Sequence, residues 1–190
     1  MYLSMENNTS KTVVAAVTAD PVFFDVTRKK MIIMNLSTYG IYYLYWVYKN
    51  WVVIKESEKI DIVPFWRAFF SIFYINSLYN RIYKAAVARG FRTLATSNLA
   101  LIYIVGTIVG NISARLDNQF GAFLWFAGLM IFYPILKMQE VVEHNNHEIN
   151  PAFTPKAAYS LFEKCIVAIG IPLNFLGAIV IFAQLIGVAI

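Results

Sequence analysis

Five apolar blocks, separated by short polar or charged links, fill most of the chain from Met31 to Ile190. The first runs from Met31 to Tyr48, 18 residues without a charge, between Lys30 and Lys49. As one helix it would be about 27 Å long, marginal for a hydrocarbon core of about 30 Å. Asn35, Ser37, Thr38 and Gly40 fall close together inside it, and such residues favour a break or cap over a smooth helix. The second block follows the charged link Lys55 to Asp61 and opens on Pro64, a residue suited to a first helical turn. It reads as a helix to Arg89 with Gly90 as its stop. Arg67 and Arg81 leave only 13 uncharged residues between them, too few to span, and the second half is polar and basic. This is the pattern of an amphipathic helix lying in the interface.

The remaining blocks are simpler. Thr93 to Ala114 holds 22 uncharged residues, Asn118 to Leu136 holds 19, and Cys165 to Ile190 holds 26. Each is long enough to span. Arg115-Leu116-Asp117 is so short a link that the third and fourth blocks form an antiparallel hairpin. Gly106 and Gly110 make a GxxxG pair, a pattern that lets helices approach closely. Pro134 is expected to bend or end the fourth helix. Gly170 and Pro172 suggest a kink in the fifth, or a later start.

The expectation is an all-α fold: a polytopic helical membrane protein in one domain. Residues 1–30 are an N-terminal extramembrane segment. Residues 31–92 hold an aromatic re-entrant or spanning hairpin and the amphipathic helix. Residues 93–190 hold three clear transmembrane helices, at about 93–114, 118–137 and 165–190, with a cytoplasmic link. Composition agrees: 59% of residues are hydrophobic and 14% charged, mean hydropathy is +0.57, and a soluble domain carries about 25% charged residues. The single cysteine, Cys165, rules out an internal disulfide. The N-terminus lacks the pattern of a cleavable signal peptide, and the sequons at Asn8 and Asn111 are short enough to arise by chance.

Charge placement bears on the first block. Lys11, Arg28, Lys29 and Lys30 precede it, eight basic residues lie between it and the third block, Arg115 sits in the short link, and Lys137, Lys156 and Lys164 follow. If the first block spans, the division is 11 inside to 5 outside; if it dips in and returns, it is 15 to 1. Basic residues prefer the cytoplasmic side, so re-entry with a cytoplasmic N-terminus is expected, and a true span stays open. Seven Tyr and Trp within 13 residues point the same way, because these rings prefer the headgroup level. Tyr39, Tyr42, Tyr45, Trp46, Tyr48 and Trp51 are therefore candidate interface aromatics.

The runs Phe24-Asp25-Val26-Thr27-Arg28-Lys29-Lys30, Ser37-Thr38-Tyr39-Gly40-Ile41-Tyr42, Tyr45-Trp46-Val47-Tyr48-Lys49-Asn50-Trp51 and Pro64-Phe65-Trp66-Arg67-Ala68-Phe69-Phe70 resemble a group of small bacterial membrane proteins of unknown function. That group shares a Thr-Phe-Gly-hydrophobic-Tyr turn, a Tyr-Trp-x-Tyr-Lys-x-Trp helix and a Pro-x-x-Arg-Ala-x-Phe helix. Tyr39 stands where the group carries Phe. The resemblance covers residues 23–83 and implies a multi-pass protein of the bacterial inner membrane; it implies no activity.

Candidate chemistry is sparse. Arg67, Arg81, Lys84 and Arg89 are candidate ligands for lipid headgroups, at about 1 kcal/mol per cation on an anionic surface. Membrane lipids with anionic headgroups are the expected partner, with a homo-oligomer or another membrane protein beside them; nucleic acid is not expected. Glu140, His144 and His147 would share a helical face at i, i+4 and i+7 and could ligate zinc or iron. They lack the HExxH spacing of a zinc hydrolase. The plainer reading is a solvated extension of the fourth helix ending before Asn150-Pro151. Asn98, Asn111, Asn174 and Gln184 lie in or near spans whose interiors carry no Asp, Glu, Lys or Arg. No catalytic residue and no cofactor is implied. Three functions remain: a non-enzymatic scaffold, accessory or lipid-interacting protein, which is favoured; a small oligomeric transporter or channel; and a metal-dependent membrane enzyme.

Overall fold

The computed structural model describes residues 22–92, 96–116 and 118–186, apart from the side chain of Gln184. Asp117, the Asn8 sequon, Lys11 and the first residues of the third block lie outside that range. The described residues form an all-helical membrane protein, with three helices long and apolar enough to cross a bilayer.

The first apolar block breaks where its polar residues cluster. Helix α1 (Arg28–Ser37) is followed by the turn Thr38-Tyr39-Gly40 and by α2 (Ile41–Glu58). Tyr39 and Gly40 both take left-handed backbone, with φ of 50° and 85°. Asn35 fastens the turn: its Nδ2 donates to Met31 O, and its Oδ1 accepts from Tyr43 N at 3.1 Å. One face of α2, made of Tyr43, Trp46, Val47, Asn50, Trp51 and Ile54, is buried at the i, i+3, i+4, i+7 spacing of an amphipathic helix.

The second block is two helices, α3 (Pro64–Phe69) and α4 (Ser71–Val87), separated at Phe70, and Gly90 closes it with φ 83°. Next come α5 (Thr96–Ser113) and α6 (Gln119–Gly128), then a 3-10 turn (Leu129–Ile131), α7 (Phe132–Ile149) and α8 (Leu161–Leu185). The fourth apolar run is interrupted by the 3-10 turn Leu129–Ile131 just ahead of Pro134, which then lies in the first turn of α7, where no N–H is needed. Helix α8 starts four residues before the expected Cys165, where Ser160 and Glu163 form a capping box, and it continues through Pro172.

Helices α5 and α6 pack as the expected hairpin. A Cβ on Gly106 would lie 3.3 Å from Ile131 and Met130, and one on Gly128 would lie 3.3 Å from Gly110. The GxxxG pair is thus consumed inside this chain. The core sits among α1, α2, α4, α5 and α7, around Trp46, Trp51, Tyr43, Tyr79, Ile75 and Met138. Tyr43 stacks on Trp46 at 5.4 Å, its hydroxyl bonds that of Tyr79, and Tyr103 Oη lies 3.1 Å from Ser71 Oγ. The hydroxyls of Tyr43, Tyr79 and Tyr103 are in this way partnered, whereas the buried indole Nε1 groups of Trp46 and Trp51 have no hydrogen-bond partner.

Candidate functional site

Residues 22–27 are non-helical, and Phe23, Asp25 and Val26 among them are buried in the core. Side-chain amides hold them as a neighbouring strand would. Phe23 N donates to Asn146 Oδ1 at 2.9 Å, and Asn146 Nδ2 donates to Phe23 O at 2.8 Å. Phe24 N donates to Asn50 Oδ1 at 2.9 Å. Gln139 Nε2 donates to Val26 O and to Asp25 Oδ1. Val26 pairs with Lys156 as an isolated parallel bridge. A buried backbone group without a partner is costly, and these amides from α2 and α7 supply partners without burying a charge.

Asp25 is the exception. It is buried, and its Oδ2, like Gln139 Oε1, has no hydrogen-bond partner. Burial pushes its carboxyl up to about 7, the charge of Glu143 adds to this, and hydrogen bonds from Gln139 and Asn146 oppose it. Nearby, Lys30 is also buried. Its Nζ donates to Glu163 at 2.9 Å and to Ala158 O at 2.7 Å, and it lies over the Tyr159 ring.

Glu140, His144 and His147 do line one open pocket of about 310 Å³, with Arg28, Phe91 and Glu143. They are not gathered on a common point. Glu140 meets Lys137 at 3.1 Å and Arg28 at 3.9 Å. His144 rests on the Phe91 ring, with Nε2 3.3 Å from Arg89 O. Among the described residues, no group of three or more His, Cys, Asp or Glu could hold a metal ion. The extension of α7 ends at Ile149 as expected, but it is not simply solvated: Met138, Gln139, Val142, Asn145 and Asn146 are fully buried on its other face.

The four candidate headgroup cations are dispersed. Arg67 lies 4.5 Å over Trp51 and 5.2 Å over Tyr74. Arg81 pairs with Glu58, and Arg89 bonds Asn145 Oδ1 at 2.9 Å. Lys84 is exposed. The candidate interface aromatics divide. Tyr39, Tyr45 and Tyr48 are exposed, while Tyr42, Trp46 and Trp51 belong to the core, because alternate faces of α2 meet different surroundings. Asn111 and Asn174 each donate to the carbonyl four residues back, so they serve their own helices; Asn98 is exposed. The residues that sequence reasoning missed are the amides Asn50, Gln139 and Asn146. Part of their signal was present: Asn50 shares its helical face with Trp46, Val47, Trp51 and Ile54, and Gln139 and Asn146 fall at helical spacing with Ile135, Met138 and Val142.

The α1–α2 hairpin has a defined register against α8. Lys30 meets Glu163, the Ser37 backbone lies against Gly170, and the Tyr39 hydroxyl lies 3.9 Å from where a Gly177 Cβ would be. From Glu163 to Gly177 is about 21 Å of helix. No known protein family, curated protein or solved structure matches the chain. The fold and composition define it as a multi-pass helical membrane protein.

Proposed function

We propose that the protein is a non-enzymatic, lipid-interacting protein of the bacterial inner membrane, in which α1 and α2 enter the bilayer from the cytoplasmic side and return. The observation that carries this reading is the register against α8. That helix is a candidate span over Leu161–Ala183. The Tyr39 side chain reaches past its midpoint, and the chain then turns back on left-handed Tyr39 and Gly40. Helix α1, at 10 residues or about 15 Å, cannot cross by itself. The 15-to-1 division of basic residues supports the same topology. Exposed Lys29, Lys55, Lys59 and Lys84 would then face anionic headgroups.

Topology tests it. In a Cys165→Ala background, Ser10→Cys and Asp117→Cys are labelled separately in intact cells with a membrane-impermeant thiol reagent. Labelling at position 117 and none at position 10 is the expected result. Labelling at both would make the first block a full span and overturn the re-entrant reading.

A further inference from the structure

The apolar surface around the junction of α3 and α4 has a different origin from the hairpin. Phe65, Trp66, Phe69, Phe70 and Phe73 are all exposed, Phe73 at 78%. Four of them pack on one another: Phe65 and Phe69 stack at 6.2 Å, Trp66 and Phe70 at 6.0 Å, and Phe69 meets Phe70 edge-on at 5.0 Å; Phe73 follows in the first turn of α4, its N–H donating to Phe70 O. The inner side of the same elbow, Ala68, Ser71 and Ile75, is buried in the core. From Ile62 to Asn80 the sequence holds a single charge, Arg67. That guanidinium sits over the rings of Trp51 and Tyr74. The outer face is therefore a continuous aromatic cap with no ion of its own.

Its depth is fixed by α5, a candidate span. At one end Thr96 Oγ1 donates to Asn80; further along, Ser71 Oγ lies 3.1 Å from Tyr103 Oη. Going from Asn80 back to Ser71 takes nine residues of α4, and going from Thr96 on to Tyr103 takes seven of α5. The two helices thus run antiparallel, and the elbow lies about 10 Å along the span from its first described residue. Helix α3 is only six residues long, so the segment cannot continue across. In water such a cap would be an aggregation liability; at that depth the medium beside it is acyl chain.

We propose that the α3–α4 elbow is a lipid-binding wedge, a second element that enters one leaflet only and seats its five exposed rings among the acyl chains below the headgroups. This deepens the lipid-interacting reading, and it rests on α5 as a span; it does not require the α1–α2 hairpin to re-enter. A full first span shown by labelling at Ser10→Cys would leave it standing.

The test is a depth measurement on the full chain. In the Cys165→Ala background, Phe73→Cys carries a nitroxide in vesicles of phosphatidylcholine and phosphatidylglycerol. Phe69→Cys is read in the same way, in case one substitution disturbs folding. Exposed Leu101→Cys on α5 and exposed Lys59→Cys provide the lipid and water references. Collision with oxygen relative to a polar nickel chelate is expected to match the Leu101 site and to exceed the Lys59 site several-fold. A water-like ratio at both elbow positions would overturn the proposal. So would shielding from both reagents, which would mean that a second copy or another protein covers the cap.

Discussion

At the scale of single residues, Asp25 is a carboxyl whose ionisation is opposed by its surroundings. Its Oδ1 accepts from Gln139 while its Oδ2 has no hydrogen-bond partner, and the charge of Glu143 acts on the same site. Burial and that neighbouring charge push it up to about 7 from 3.8. The folded chain therefore holds the proton more tightly than the unfolded chain does. The resulting stabilisation is complete below the unfolded value of 3.8, declines as pH rises toward about 7, and is gone above it. The thermal midpoint of the purified protein is expected to fall between about pH 5 and pH 8. Asp25→Asn, which is neutral throughout, is expected to flatten that slope. An unchanged slope in this variant would assign the dependence to other groups.

At the scale of elements, two glycines of similar sequence context have opposite structural roles. A Cβ on Gly170 would run into the Ser37 carbonyl, which is backbone of α1 and cannot step aside. A Cβ on Gly110 would meet nothing within 4 Å. Gly170→Ala is expected to push α1 off α8 and to cost about 1–3 kcal/mol of stability, as overpacking does. Gly110→Ala is expected to be neutral or slightly stabilising, because alanine favours helix by about 1 kcal/mol. Unfolding of the two variants in mixed micelles checks the contrast, and equal losses would refute it. The three spans, the hairpin link at Arg115, the helix start at Pro64 and the break near Gly40 were legible because each is written in local apolar runs, prolines and glycines. The burial of Trp46 and Trp51 was hidden by reading the aromatics as a composition. Their spacing with Tyr43, Val47 and Ile54 marks one buried face. The earlier start of α8 was hidden by Glu163 and Lys164, which look like a border until Ser160 is seen three residues before Glu163. The amide clamp on residues 22–27 joins Phe24 to Asn50, 26 positions on, and Phe23 and Val26 to Asn146 and Gln139, more than 110 positions on, and no local pattern encodes that pairing.

At the scale of the whole molecule, α8 is the least buried of the three candidate spans among the described residues: it packs mainly on α1 and α6, and most of its side chains are exposed. Dispersion along a glycine-lined contact is weak per atom, and in lipid there is no hydrophobic drive to add to it. The Lys30–Glu163 pair is then the polar tie between the hairpin and the last span. Its strength comes from completeness. Lys30 Nζ has two acceptors and an aromatic face, and Glu163 also accepts from Ser160 N at 2.8 Å. Breaking such a pair from one side strands a charge and costs about 3–5 kcal/mol, whereas replacing both partners costs much less. Lys30→Met is accordingly expected to lose about 3 kcal/mol. Glu163→Gln should lose less, since an amide oxygen still accepts from Ser160 and from Lys30. The double variant should lose less than the sum, by about 0.5–3 kcal/mol. Strict additivity across the cycle would mean that the two charges do not cooperate. The register that places Tyr39 beside Gly177 would then depend on the Ser37–Gly170 contact alone.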